Sequence, residues 1–90
     1  MFVVLVAKDK PGALNIRTEN RPAHLEYLKS TDVVAQAGPL LDDAGGMIGS
    51  LIVLDVPDMA AARDWAANDP YARAGLFADV TLTHWNRVIG

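Results

Sequence analysis

Two apolar runs, Phe2-Val3-Val4-Leu5-Val6 and Leu51-Ile52-Val53-Leu54, decide the fold that this sequence can adopt. Neither run alternates apolar and polar side chains, as a strand with one solvated face would. Both are rich in β-branched residues and far too short to span a membrane. They therefore predict two strands at the centre of a sheet, each covered on both faces.

Weaker signals around these runs predict the other elements. In chain order we expect strands at 2–8, 33–41, 47–56 and 77–87 and helices at 22–30 and 58–68. Residues 15–20 are polar and predict a loop, which places Pro22 in the first turn of a helix. Pro39 cannot donate a hydrogen bond to a neighbouring strand, so the second strand belongs at a sheet edge. Pro70 disfavours helical geometry at Asp69 and predicts a break after the second helix.

The order βαββαβ is that of a ferredoxin-like α+β fold, in which two helices cover one face of a four-stranded antiparallel sheet. Strands one and three are central in this topology, and they contain the two apolar runs. The uncovered face would present an apolar patch to water in an isolated chain. We therefore expect residues 1–90 to form a single domain that dimerises with a second copy through this face.

Composition narrows the classes of function. The chain carries 8 Lys and Arg against 11 Asp and Glu, a formal net charge of −3, and its basic residues are scattered. Such a surface favours neither nucleic acid nor a membrane as a partner. The chain has no cysteine, and no basic residue precedes the first apolar run, as one would in an export signal. A cytoplasmic protein is the default expectation.

A histidine and an aspartate are the main candidates for chemistry. His24 shares one side of the predicted first helix with Leu28 and neighbours Leu25, which we expect to face the core. Near a helix start the dipole disfavours an imidazolium, so a carboxylate would be needed to hold His24 charged. The simpler alternative is a half-buried histidine bonded to backbone groups.

Asp69 also has two interpretations. It directly precedes Pro70 and can cap the short segment that begins there, a contribution of about 1 kcal/mol. It can also serve as the partner of a catalytic base. The two roles compete, because a carboxylate tied to backbone donors is a weaker base, and spacing alone leaves both open.

Other candidates give weaker signals. Ser50 could complete a triad with His24 and Asp69, but it lacks the Gly-x-Ser-x-Gly elbow, which favours a small residue in a packed strand. His24 and His84 do not have the spacing of metal ligands, so we expect no metal site. Gly45-Gly46 lacks the strand-to-helix context of a phosphate loop, so no cofactor is predicted.

Seven blocks of sequence, spread over nearly the whole chain, form a specific combination: Arg21-Pro22-Ala23-His24-Leu25-Glu26-Tyr27-Leu28, Ala37-Gly38-Pro39-Leu40, Gly49-Ser50-Leu51-Ile52-Val53, Ala62-Arg63-Asp64-Trp65-Ala66, Asn68-Asp69-Pro70-Tyr71, Ala74-Gly75-Leu76-Phe77 and the first apolar run. With them the chain resembles the YCII-related (YciI-like) family. The resemblance implies a dimeric ferredoxin-like fold similar to those of muconolactone isomerase and small monooxygenases. It also implies a His-Asp pair in a pocket near the dimer interface.

Carried over to this sequence, the resemblance makes His24 and Asp69 the catalytic pair and Arg21 a candidate anion or oxygen binder. We add Ser50 and Tyr71 as candidate substrate-binding residues. The sequence departs from the family pattern in having His84-Trp85 where Pro-Trp is common, and in a compressed segment before Arg21.

Where an activity has been proposed in the resembling family, it is elimination, including loss of HCl from chlorinated, hydroxylated aromatic rings. We therefore predict a small cofactor-independent enzyme of lyase or isomerase type that acts on a small oxygenated organic molecule. The alternative is a non-catalytic dimer that binds a small ligand or serves as an accessory subunit.

Overall fold

A computed structural model describes residues 1–90 as one antiparallel sheet with helices on one side. The elements are β1 (Phe2–Asp9), α1 (Leu14–Ser30), β2 (Val34–Leu41), β3 (Met47–Asp55), α2 (Met59–Asn68), α3 (Pro70–Arg73) and β4 (Phe77–Trp85). The strand order is β2-β3-β1-β4. The predicted ferredoxin-like α+β fold is confirmed, with β1 and β3 at the centre and β2 at an edge.

The register of the central strands separates the two faces of the sheet. On the helix side, Val3, Leu5 and Ala7 of β1 lie opposite Leu54, Ile52 and Ser50 of β3. All six are buried, and the apolar ones pack with Leu28 of α1 and with Ala62 and Trp65 of α2. Each large aliphatic side chain buried in this way contributes roughly 1.5–3 kcal/mol. The core therefore lies between the sheet and the helices.

The opposite side of the sheet, which we call the open face, is covered by no helix. A groove of about 470 Å³ runs along it and is lined by Val4, Gln36, Leu51, Val53, Thr83, His84 and Trp85. Leu51 and Trp85 are each 37 % exposed. The apolar patch predicted from the sequence is thus present, and the homodimer stays a prediction.

Helix α1 begins earlier than the sequence predicted. It starts at Leu14, so residues 15–20 are helical rather than a loop, and Pro22 lies inside the helix. A proline in a helix interior costs roughly 3 kcal/mol relative to alanine. A buried ion pair between Arg17 and Asp9 ties the first turns of α1 to the end of β1. This contact joins side chains eight residues apart and stabilises the early start of the helix.

The junction of α2 and α3 follows the prediction. Asp58 caps α2 by accepting a hydrogen bond from the Ala61 amide at 2.8 Å. Asp69 leaves the helical conformation, with φ −60° and ψ 128°, and Pro70 begins the single turn of α3. The break turns Asp69 and Tyr71 towards α1. None of the three helices is both long and apolar enough to cross a membrane.

Candidate active site

The two residues that the sequence proposed as a catalytic pair are in contact. His24 Nδ1 lies 2.7 Å from Asp69 Oδ1, and both side chains are buried. Because an ionised carboxylate can only accept, Nδ1 carries the proton and donates it to Asp69. The other ring nitrogen, Nε2, makes no hydrogen bond within the chain. Its lone pair is therefore available to accept a proton.

His24 lies in the middle of α1 and not near its start. The expected influence of the positive helix end on the imidazole was therefore wrong, because the helix dipole acts within the first and last turns. What acts on His24 instead is Asp69, which reaches it from the α2–α3 junction.

Asp69 makes the contacts that both interpretations require. Its Oδ1 accepts the backbone N–H of Tyr71 at 3.0 Å, and so caps α3, while it also accepts from His24. Its Oδ2 is buried and has no hydrogen-bond partner, which costs about 1–3 kcal/mol for a buried polar group. The carboxylate therefore depends on one backbone amide and one imidazole for its stabilisation.

Tyr71 covers the imidazole. The rings of Tyr71 and His24 stack with centroids 3.8 Å apart and planes inclined by 13°. Burial raises the pKa of Tyr71 above its ordinary value, and the neighbouring charges of Arg17 and Arg21 oppose this effect. At neutral pH the phenol thus keeps its proton and can donate it in a hydrogen bond.

Arg17 is the site residue that the sequence analysis missed. Its Nε and Nη2 each donate to one carboxylate oxygen of Asp9 at 2.8 Å, and Nη2 also donates to Ser50 Oγ at 2.9 Å. Its Cζ lies 4.7 Å from the centroid of the Tyr71 ring. Burial lowers the pKa of Arg17, but the hydrogen bond and charge of Asp9, together with a smaller contribution of Tyr71, raise the pKa overall. Once α1 is extended to Leu14, the seven-residue spacing from Arg17 to His24 is the signal that places both on one helix face.

Ser50 does not form a triad. Its hydroxyl is buried and bonded to Arg17, and it makes no hydrogen bond with His24. The interpretation of Ser50 as a small residue in a packed strand accounts for its burial but not for its contact with the guanidinium. No group of three or more His, Asp or Glu side chains is arranged to hold a metal ion.

One cavity of about 200 Å³ joins these side chains between α1 and the helix-side face of β2 and β3. Its polar lining is Arg17, Arg21, His24, Ser50 and Tyr71. Its other lining residues are Leu25, Leu28, Ala37, Gly38, Pro39, Met47 and Ile52. The cavity is thus lined by every residue that the sequence proposed for binding or catalysis except Asp69, which contacts His24 but does not line the cavity.

One expectation about this cavity needs correction. Leu25, expected to face the core, is 39 % exposed and lines the cavity. The pocket near a dimer interface that the resemblance implied stays a prediction, and Ser50 and Ile52 of this cavity face the helices. The sheet therefore separates the cavity from the open face.

Known proteins match this chain over almost its whole length. A family model described as YCII-related domain matches residues 1–86. An uncharacterised protein of Haemophilus influenzae is 35 % identical over 97 residues, which span 98 % of this chain and 99 % of that protein. Protein YciI of Escherichia coli is 33 % identical over the same shares of the two chains.

A solved structure agrees with these matches. The 5-chloro-2-hydroxyhydroquinone dehydrochlorinase (TftG) of Burkholderia phenoliruptrix, in complex with 2,5-dihydroxybenzoquinone, superposes with a TM-score of 0.89 and 32 % sequence identity. The match covers 96 % of this chain and 94 % of that one. This chain belongs to the YCII-related family.

Proposed function

We propose that this protein is an enzyme of lyase or isomerase type that needs no cofactor and uses His24 and Asp69 as an acid–base pair. The observation that carries the proposal is the arrangement of the imidazole, whose Nδ1 is bonded to Asp69 while the free Nε2 belongs to a cavity-lining side chain. The similar dehydrochlorinase, which was solved with a small oxygenated ring compound, supports a substrate of that kind.

In the proposed reaction, His24 Nε2 takes a proton from the substrate, either from the carbon next to a carbonyl or from an enol hydroxyl. The electron pair of the broken C–H bond moves towards the carbonyl oxygen, whereas the pair of the O–H bond stays on its oxygen, and either way an enolate forms. Asp69 holds the imidazole in the correct tautomer and stabilises the positive charge that it gains. The intermediate then either takes the proton back at another carbon, as in an isomerase, or expels a leaving group such as chloride with its electron pair, as in a lyase.

The substrate oxygen is held by the polar lining of the cavity. Arg21 supplies a positive charge, and the hydroxyl groups of Ser50 and Tyr71 are hydrogen-bond donors beside it. Donors that are already in position when charge develops on an oxygen lower the barrier without reorganisation. We assign Arg21, Ser50 and Tyr71 to substrate binding for this reason.

A second candidate is a binding or accessory module without catalysis. One observation favours it: Asp69 caps α3 through the same oxygen that meets His24, so the residue has a structural role in any case. The enzyme and the module differ in what is lost when the pair is altered, because only the enzyme loses turnover while its fold persists.

The test is to screen hydroxylated and chlorinated single-ring compounds for turnover and to compare His24→Asn and Asp69→Asn with the natural protein. We expect turnover to fall at least about 10²-fold in both variants, the lower end of what a positioned acid–base group contributes. Asp64→Asn is the matched control, since Asp64 is an exposed carboxylate on α2 outside the cavity. Unchanged turnover in both variants, or unfolding of both together with the absence of any ligand that raises the melting temperature, contradicts the enzyme and favours the module.

We also propose that the protein is a homodimer whose interface is the open face. The support is the exposed apolar groove there, since a patch of this kind on a soluble domain commonly marks an interface. We expect a buried area of roughly 1,200–2,000 Å² or somewhat more. Light scattering after size exclusion should give twice the chain mass, and Leu51→Lys should give a monomer. Ala67→Lys, on the exposed side of α2, is the control and should leave the dimer intact; a natural protein that is monomeric at micromolar concentration contradicts the proposal.

A further inference from the structure

Two arginines one turn apart on α1 line the same cavity, but only one of them is free to bind a ligand. Arg17 is 2 % exposed, and Asp9 and Ser50 occupy its guanidinium. Arg21 is exposed and forms no ion pair or side-chain hydrogen bond with the rest of the chain. Its charge is nevertheless near enough to the cavity to act on the pKa of Tyr71.

No carboxylate of the chain contacts Arg21. No Asp or Glu lines the cavity, and the two carboxylates behind the lining are bonded to other partners, Asp9 to Arg17 and Asp69 to His24. The guanidinium of Arg21 is therefore left without a partner in the chain at a partly enclosed site. A ligand that carries a negative charge supplies what the chain does not, because a charge-assisted hydrogen bond is stronger than a neutral one.

The volume and lining of the cavity limit the rest of the ligand. A cavity of about 150 Å³ holds one benzene molecule, whereas drug-sized ligands occupy roughly 300–1,000 Å³. At about 200 Å³, this cavity accommodates one ring with small substituents. Leu25, Leu28, Pro39 and Ile52 give it apolar walls that suit the ring.

We propose that the substrate is bound as the anion of a single hydroxylated ring, or of an enol of similar size, with its charged oxygen on Arg21, and that His24 takes its proton from a second position of this bound anion. The inference deepens the function proposed above and rests on it for the location of the site. It separates the two arginines by role: Arg21 binds the charge, and Arg17 holds Asp9, Ser50 and the Tyr71 ring in position.

A pair of unreactive probes tests the charge directly. 4-Nitrophenol loses its proton near neutral pH, and 4-nitroanisole is its uncharged methyl ether, so the two have nearly the same shape. We expect the phenolate to bind the full-length protein at least about 10-fold more tightly than the ether, the effect of a hydrogen bond to a charged group. Absorbance should show that the bound phenol ionises at a lower pH than the free phenol.

Substitutions test whether Arg21 causes the preference for the phenolate over the ether. Arg21→Gln should remove the preference for the phenolate and leave binding of the ether within about twofold, since a glutamine keeps a donor but no charge. Arg63→Gln removes an exposed arginine outside the cavity and should keep the preference. 4-Nitro-1-naphthol, which adds a fused ring, should bind more weakly than 4-nitrophenol.

The outcomes separate this inference from the catalytic proposal. Equal binding of phenolate and ether, a preference that survives Arg21→Gln, or no binding of either probe would overturn the inference, whatever His24→Asn does to turnover. A phenolate preference that depends on Arg21 supports the inference even if turnover does not depend on His24, and in that case only the acid–base mechanism fails.

Discussion

Helix α1 takes part in two buried pairs of side chains two turns apart, and the two are built differently. Arg17 and Asp9 share two hydrogen bonds of 2.8 Å, and Ser50 takes a third from the same guanidinium. His24 and Asp69 share one of 2.7 Å, and the second oxygen of Asp69 has no partner. The first pair has little capacity left for a ligand, whereas the second keeps a free imidazole nitrogen in a side chain that lines the cavity.

The difference follows from the chemistry of the two cations. A guanidinium stays charged at any pH that proteins meet and fits a carboxylate in a two-point contact, so it can lock two elements together but cannot exchange a proton. An imidazole can lose or gain a proton near neutral pH. The pair of Arg17 and Asp9, which we call the fixed pair, joins α1 to β1 through permanent charges. The pair of His24 and Asp69, which we call the exchangeable pair, contains an imidazole that lines the cavity.

The largest change in stability should come from breaking the fixed pair. Arg17→Met leaves the Asp9 carboxylate buried without a counter-charge, and we expect a loss of about 3–5 kcal/mol in the free energy of unfolding. Arg17→Met combined with Asp9→Leu should lose less, because no uncompensated charge remains. Urea denaturation measures both.

Arg21→Met is the matched control for this prediction, because Arg21 lies one turn further along the same helix and has no partner. Its unfolding free energy should change by no more than about 0.5 kcal/mol. If Arg17→Met and Arg21→Met were equally stable, the pair with Asp9 would not be the anchor of α1.

The exchangeable pair should matter less for stability than for turnover. His24→Asn keeps a side-chain hydrogen-bond donor for Asp69, and the other donor to this carboxylate, the Tyr71 amide, is unchanged. We expect a loss of no more than about 1–2 kcal/mol in the free energy of unfolding. A loss as large as that of Arg17→Met, measured under the same conditions, would make His24 a structural residue.

Much of the fold could be predicted because its signals are local. The uninterrupted apolar runs of β1 and β3 predicted central strands. Pro39 predicted an edge strand, and Pro70 predicted a break after a helix. The start of α1 could not be predicted in this way. Most of residues 15–20 are polar because they lie on the exposed side of α1, and the one buried residue among them, Arg17, is paired with Asp9. Pro22 therefore indicated a helix start, which in fact lies two turns earlier.

The contact of His24 with Asp69 was predicted on the strength of a family resemblance, since nothing in the spacing of two residues on different elements brings them together. The same reasoning missed Arg17, which lay in the segment taken for a loop. It also offered capping and pairing of Asp69 as alternatives, because a sequence does not reveal that one carboxylate oxygen can accept from a backbone amide and an imidazole at once.

The smallest predicted effect is a change in the free energy of unfolding at high pH, and it comes from two partly or fully buried tyrosines, Tyr71 and Tyr27. Burial raises the pKa of Tyr71 and of Tyr27 above the ordinary value of 10.0. Above about pH 10 the unfolded chain therefore releases tyrosine protons that the folded chain keeps, so the unfolded state binds fewer protons and the free energy of unfolding falls as pH rises.

Tyr71→Phe and Tyr27→Phe should each weaken this fall, and the double variant should weaken it most, because phenylalanine has no proton to release. The measurement is urea denaturation at several pH values between about 9 and 11, spanning the ordinary tyrosine pKa, alongside the absorbance of tyrosinate in the folded protein. Lysines also lose their charge in this range, but they are common to all four proteins and cancel in the comparison. Ionisation of Tyr71 in the folded protein at or below its ordinary pKa would show that the charges of Arg17 and Arg21 outweigh burial, and it would contradict this prediction.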